Sequence, residues 1–360
     1  MRRYGILLAG IAVALLLGGI YVMAQRQTNT ASDLVVQQRF PNHTSWVYTA
    51  DFDSKEELVA SGGEDGLRVW RLDNASEVYH RPGRVFLARF VKGDLLVCAD
   101  ANEGVLLLDT QTWQVRKKLG QKGARIVAAV SEDGNRIAAS FSVARQVDKV
   151  PPKSTEIHVW QLVKGEWHES VLRGHEDAVF ALAWHPTLPH LISHGEDATL
   201  RAWNVETQRQ IGISGNSLVL GPVNHVPNGQ SACVFNSAGT RLVTGNYLCD
   251  YEAEKESPLR KSKEQIRGVR SASFSSNGRW MATGHPDGTL HLWDSKTLVE
   301  RTVVKGSING SALNEVRFSR NGKFIVTAGE GSLGIMFEAM KRGVKGDDTV
   351  VRVWRVNITE

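Results

Sequence analysis

Apolar and polar positions alternate with a period of two through short runs that cover most of the chain, and clusters of Gly, Asn, Asp and Ser separate the runs. Such alternation predicts strands, not amphipathic helices. Two strands around an Asn-Gly turn are legible in VRSASFSSNGRWMATG (Val269–Gly284) and in NEVRFSRNGKFIVTAG (Asn314–Gly329), the signature of a β-hairpin. A further strand follows and closes on Trp. Four segments end this way: GEDGLRVWRL (Gly63–Leu72), GEDATLRAWNV (Gly195–Val205), HPDGTLHLWDS (His285–Ser295) and DDTVVRVWRV (Asp347–Val356). In each, an Asp precedes the alternating residues. STEIHVWQL (Ser154–Leu162) keeps the strand without the Asp, and ANEGVLLLDT (Ala101–Thr110) carries Leu108 where Trp is expected. Only Gly5–Ala24 departs from the pattern, as a continuous apolar run without a charge.

The closing positions recur at a regular interval. Trp70 to Leu108 is 38 residues, Leu108 to Trp160 is 52, and Trp160 to Trp203 is 43. Trp203 to Trp293 is 90, room for two units, and SACVFNSAGTRLVTGN (Ser231–Asn246) is the hairpin of the hidden one. Trp293 to Trp354 is 61. Seven units of roughly 40–45 residues have the period of four-stranded propeller blades.

These motifs resemble the WD-repeat family over about Ala31 to Val356, most specifically in GHEDAVFALAWHP (Gly174–Pro186) with GEDATLRAWN, and in FSSNG with PDGTLHLWD. The resemblance implies an all-β fold: a seven-bladed β-propeller of four-stranded antiparallel blades, whose last blade is closed by a strand from the N-terminal side. DLVVQQR (Asp33–Arg39) has a strand's period and no other partner, and is expected to be that clasp. Closure removes the edges that an open stack would expose. The resemblance also implies a hydrogen-bonded set within a blade: His175, Ser193, Asp197 and Trp203 in the fourth unit, Thr283, Asp287 and Trp293 in the sixth, and Ser61, Asp65 and Trp70 in the first. A buried carboxylate and an indole N–H both need partners, so these residues are read as structural and not as a hydrolytic triad.

Composition adds little chemistry. A net charge of +5, two of it from Arg2 and Arg3, is too small to argue for nucleic acid. Cys98, Cys233 and Cys249 lack metal-ligand spacing; either Cys233 and Cys249 form a disulfide or all three are buried thiols. His185, His190 and His194 cluster, but Pro186 and Pro189 separate them in a turn common in the family, and no metal is expected. No Gly-rich loop opens a helix after a strand, so no nucleotide or other cofactor is expected. Four triplets fit glycosylation sequons: Asn42-His43-Thr44, Asn74-Ala75-Ser76, Asn309-Gly310-Ser311 and Asn357-Ile358-Thr359.

Gly5–Ala24 is long enough to span a bilayer as a helix, and Arg2 and Arg3 keep its start in the cytoplasm. The domain reading is therefore a signal-anchor or signal peptide over 1–24, a polar tether over 25–32 and a propeller over 33–360, carried outside the cytoplasm (the periplasm, if the host is bacterial). Either the segment stays as an anchor, or Val22 and Ala24 precede a cleavage at Gln25.

Three units carry extra residues: Ser142–Thr155, Cys249–Gln265 and Glu330–Gly346. Each is expected between the second and third strands of its blade, so that all crowd one face of the disc. In the last, Leu333, Met336, Phe337 and Met340 recur at helical spacing, followed by Lys341 and Arg342, a candidate docking stripe for another protein. The inner strands offer mainly Ala, Val, Phe and Ser. The expected function is an interaction scaffold without catalytic chemistry. Two alternatives stand beside it: a propeller enzyme or small-ligand binder using the central channel, and a cell-envelope assembly or sensor component working through its membrane segment.

Overall fold

The computed structural model describes residues 33–142, 155–214, 232–255, 258–266, 268–307, 310–329 and 350–358. Among them, 28 strands form seven four-stranded antiparallel sheets. The clasp is β1 (Leu34–Phe40). Blade 1 is β2 (Val47–Phe52), β3 (Leu58–Gly63), β4 (Gly66–Arg71) and β5 (Glu77–Arg81); blade 2 is β6 (Val85–Val91), β7 (Leu95–Asp100), β8 (Gly104–Asp109) and β9 (Val115–Leu119). Blade 3 is β10 (Arg125–Val130), β11 (Arg136–Ser142), β12 (Ile157–Val163) and β13 (Glu166–Leu172); blade 4 is β14 (Val179–Trp184), β15 (His190–Gly195), β16 (Leu200–Asn204) and β17 (Arg209–Ser214). Blade 5 is β18 (Cys233–Phe235), β19 (Arg241–Thr244), β20 (Tyr247–Tyr251) and β21 (Leu259–Gln265); blade 6 is β22 (Ser271–Phe274), β23 (Trp280–Gly284), β24 (Thr289–Asp294) and β25 (Glu300–Lys305). Blade 7 is β26 (Leu313–Phe318), β27 (Phe324–Gly329) and β28 (Val351–Val356), and β1 pairs with β28 as its fourth strand. The expected clasp is thus in place, with Phe40 fully buried against the Trp70 ring at 5.1 Å.

Each sheet is sandwiched between two neighbours, so burial falls from the inner strands outward. In blade 4, β14 and β15 are buried throughout, whereas β17 is half exposed. The core consists of layers between blades, such as Val127, Ala138, Ile157, Leu182, Leu191 and Trp203 between blades 3 and 4. This explains why first and second strands read as near-continuous apolar runs, while outer strands such as VRKKL carry charge along their edges.

The register places the closing residues at one position of every blade. Trp70, Leu108, Trp160, Trp203, Cys249, Trp293 and Trp354 face Val59, Leu96, Ile137, Leu191, Leu242, Met281 and Ile325 across their respective strand pairs. Cys249 is therefore the closing residue of the unit that lacks a Trp. The three cysteines are free thiols, and Cys233 and Cys249 sit on strands separated by β19.

Candidate interaction face and channel

Every first strand starts on the face where one blade crosses to the next, here named the crossover face; turns between second and third strands return to it. Three long connections begin and end there: 143–156 in blade 3, 330–350 in blade 7, and 215–232 between blades 4 and 5. No other connection on this face exceeds seven residues. The first two match the expected insertions. The third was not expected, because the weak repeat of blade 5 hid where its first strand begins. Cys249–Gln265 is a correction. Cys249 to Tyr251 belong to β20 and Leu259–Gln265 forms β21, so the stretch that joins them, 252–258, leaves and re-enters the blade on the opposite face. The physical reason is that Leu259–Gln265 finds hydrogen-bonding partners along the open edge of β20. The docking stripe Leu333, Met336, Phe337, Met340, Lys341 and Arg342 lies outside the described residues, as do 143–154 and 1–32.

The blade hydrogen-bond sets are next to this face. In blade 4, Asp197 sits in the turn after β15, His175 in the crossover before β14, and Ser193 on β15. His175 Nδ1 is 2.8 Å from Asp197 Oδ2, His175 Nε2 is 2.6 Å from Ser193 Oγ, and Trp203 Nε1–H donates to Ser193 Oγ at 2.8 Å. Burial alone would raise the Asp197 carboxyl, yet the Glu176 N–H, the hydroxyl and N–H of Thr199 and the His175 ring together outweigh it and hold it at about 2. Burial lowers His175 despite the opposing pull of Asp197. The composition is that of a Ser-His-Asp triad, but Ser193 is fully buried and its oxygen already accepts the indole N–H. No carbonyl can approach such a hydroxyl, so the set fixes the turn and the third strand.

Blade 1 repeats the geometry with a residue the sequence reading passed over. His43 Nδ1 is 2.6 Å from Asp65 Oδ1, and its Nε2 is 2.5 Å from Ser61 Oγ. Thr44 N–H donates to Asp65 Oδ2 at 2.8 Å. In the sequence His43 stands inside a sequon, and the signal of its structural role is its place 22 residues before the turn Asp, as His175 stands before Asp197. Trp70 packs its ring edge on His43 instead of bonding Ser61. In blade 6, Trp293 Nε1–H donates to Thr283 Oγ1 at 2.8 Å, but the imidazole is His285, 2.8 Å from Thr283 Oγ1 and two residues along the same hairpin. Asp287 bonds Thr289 and does not reach Thr283. Blade 2 has Cys98 and Leu108 at the hydroxyl and indole positions, an apolar pair replacing a polar one.

The histidine cluster of blade 4 is divided among separate roles. His185 Nδ1 accepts the backbone N–H of Thr187 and Leu188, and its Nε2–H donates to the Gly239 carbonyl of blade 5 at 3.1 Å. His190 Nδ1 is 2.8 Å from Tyr251 Oη, also in blade 5, while His194 packs on Phe180. Among the described residues no group of three His, Cys, Asp or Glu side chains converges as metal ligands.

The channel is more polar than the expectation of Ala, Val, Phe and Ser. One residue at the same register position of each inner strand occupies one ring around it: Asp51, Arg89, Ala129, Ala183, Val234, Ser273 and Arg317. Charge thus gathers on blades 7, 1 and 2, facing a wall of small apolar residues. Arg317 Nε lies 2.8 Å from Asp51 Oδ1, and Phe90 N–H donates to Asp51 Oδ2 at 2.9 Å. Arg89 reaches over blade 1 to donate to Glu315 Oε2 at 2.6 Å, and also to Thr49 Oγ1 at 2.6 Å. ADF, ARF and VRF, at or one residue before the ends of three inner strands, are the signal of this ring in the sequence. They read as ordinary alternation, because a strand pattern does not distinguish a face turned to a channel from one turned to solvent.

Comparison with known proteins agrees with this architecture. Residues 34–71, 167–204 and 258–294 match the WD40 family, described as WD domain, G-beta repeat. The chain is 29% identical over 205 residues to protein transport protein sec31 of Aspergillus oryzae, covering 52% of this chain and 15% of that protein. It is 25% identical over 193 residues to eukaryotic translation initiation factor 3 subunit I of the same organism, covering 52% of this chain and 55% of that protein. The guanine nucleotide-binding protein subunit beta of Oryza sativa subsp. indica is 21% identical over 297 residues, 78% of this chain and 76% of that protein. For the first two relatives, the aligned stretch thus falls short of two thirds of their length. The chain carries WD40 repeats in a seven-bladed β-propeller.

Proposed function

We propose that this WD-repeat propeller is a protein-interaction scaffold that presents its crossover face to a partner and performs no catalysis of its own. The observation that carries this reading is the convergence of the three longest connections on one face of a closed ring. A ring whose blades are locked by hydrogen-bond sets supplies rigidity, and long connections between its strands supply variable recognition surface. Two of the similar proteins are named as subunits, which supports a role in assembly. Affinity copurification after mild cross-linking, comparing the full chain with a variant lacking 331–345, tests the reading. A partner retained by the full chain and lost by the variant supports it. Partners shared by both shift attention to 143–154 and 215–231, and the absence of any partner overturns it.

Gly5–Ala24 is proposed to hold or export the propeller outside the cytoplasm, on the strength of its uncharged length behind Arg2 and Arg3. Fractionation with N-terminal sequencing tests this. A membrane-bound chain starting at Met1 supports the anchor, and a soluble chain starting at Gln25 supports cleavage. A soluble chain with its start intact overturns both.

A further inference from the structure

The channel holds an unused binding capacity that the scaffold reading does not absorb. Its wider half, of about 300 Å³, is lined by the whole ring from Asp51 to Arg317, and a narrower half of about 110 Å³ continues past Arg89 and Arg317 toward the crossover face. The carboxylates of the ring are already engaged: Asp51 by Arg317 Nε and the Phe90 N–H, Glu315 by Arg89. Arg89 is also spent, on Glu315, Thr49 and the Ala88 carbonyl. Arg317 differs. It bonds only through Nε, which leaves the two Nη groups of its fork without an acceptor among the described residues, and its side chain is 37% exposed. Its exposure is to the confined channel, where the surrounding protein removes bulk water, and this desolvation together with the like charge of Arg89 pushes its pKa down.

A second donor lies in the same ring. Ser273, on the inner strand of the neighbouring blade, accepts the Phe318 N–H at 3.0 Å and keeps its own hydroxyl proton to give. Across the channel, Ala129, Ala183, Leu182 and Val234 present no polar side-chain atom at the level of the ring, although Ser131, Glu132, His185, Asn236 and Ser237 line the cavity beyond the ends of the same strands. We propose that the channel binds a small monocarboxylate with a compact apolar body, its carboxylate on the Arg317 fork and Ser273 and its body against the wall of blades 3 to 5. A planar carboxylate fits a guanidinium fork through two parallel N–H bonds, and a cavity of about 300 Å³ lies at the lower end of small-molecule sites. This inference is independent of the crossover-face reading.

The test uses the full chain with 4-fluorobenzoate as probe, followed by ¹⁹F line broadening, and 4-fluorobenzyl alcohol as the neutral control. Broadening is expected for the acid and not for the alcohol. Arg317→Met should weaken binding about tenfold to a hundredfold, the loss of a charge-assisted pair. Asp51→Asn should tighten it, because a competing anion leaves while an acceptor for Arg317 Nε remains. Intrinsic tryptophan fluorescence reports whether each variant is folded, and if Arg317→Met is not, Asp51→Asn alone decides. A short peptide with a free C-terminal carboxylate, run in competition, separates a small acid from a partner's chain end; the proposal expects it not to displace the probe. Absent broadening, equal broadening by the alcohol, binding that survives Arg317→Met in a folded protein, no tightening by Asp51→Asn, or displacement by the peptide each overturns the proposal.

Discussion

Lowering the pH from 7 toward 4 should weaken the seam between blades 4 and 5 through His185. The ring is buried, its Nδ1 is committed to accepting two backbone N–H groups, and its Nε2–H is committed to the Gly239 carbonyl. Only the neutral form satisfies all three bonds. A proton on Nδ1 would face two donors. Burial first, and then the neighbouring His190, bring its pKa down from 6.5 to about 4. In the unfolded chain the ring titrates near 6.5, so below that pH the unfolded state gains protons that the folded state refuses. The stability supplied by the neutral ring is complete above pH 6.5, falls between pH 6.5 and 4, and levels off below; the full loss is about 3 kcal/mol. His194, held at about 3, and His285, at about 4, run in the same direction and steepen the total. A comparison isolates His185. His185→Asn keeps an acceptor for the turn N–H groups, as Asn236 does at the equivalent turn of blade 5, but does not titrate. Urea unfolding followed by tryptophan fluorescence, at several pH values between 7.5 and 4, should show the wild type less stable as pH falls and the variant less affected by about 3 kcal/mol. Parallel curves for the two proteins, or a His185 ring that titrates near 6.5 by NMR, would refute the argument.

Other expectations follow from the same geometry. Gly239 has φ +71°, and a Cβ there would come within 2.2 Å of His185 Nε2, so Gly239→Ala should cost about 2–3 kcal/mol in urea unfolding. Asp197→Ala strips acceptors from His175, Thr199 and the Glu176 N–H and should cost about 2–4 kcal/mol, whereas the exposed Asp287→Ala should cost about 1 kcal/mol, a contrast that thermal unfolding can read. Phe40→Ala opens the clasp against Trp70 and should destabilise by about 3–5 kcal/mol, with earlier proteolysis between β1 and β2 as an independent readout. Arg89→Met leaves Glu315 without its cation in the channel and should cost about 3 kcal/mol, recovered in part when combined with Glu315→Gln in a double-mutant cycle.

What the sequence by itself determined is the part of this protein that repeats. Period-two alternation, Asn-Gly turns and recurrent Trp residues specify strands and hairpins through local chemistry, and seven of them at a blade's spacing leave few ways to bury all their faces except a closed ring. The clasp was legible for the same reason, because DLVVQQR is a strand that needs a partner. The turn Asp, hydroxyl and Trp of blades 1, 4 and 6 were visible as motifs at fixed offsets. Only the tertiary structure decided contacts between positions far apart in the chain. It placed His43 on Ser61, put His285 where another blade uses a crossover histidine, made Cys249–Gln265 a strand pair, and brought Asp51, Arg89, Glu315 and Arg317 from three blades into one channel. The physical reason lies in the strand's two-residue period. It states that a side chain points to one side or the other, but whether that side meets solvent, a neighbouring blade or the channel depends on the curvature of the ring and on which blade comes to lie opposite.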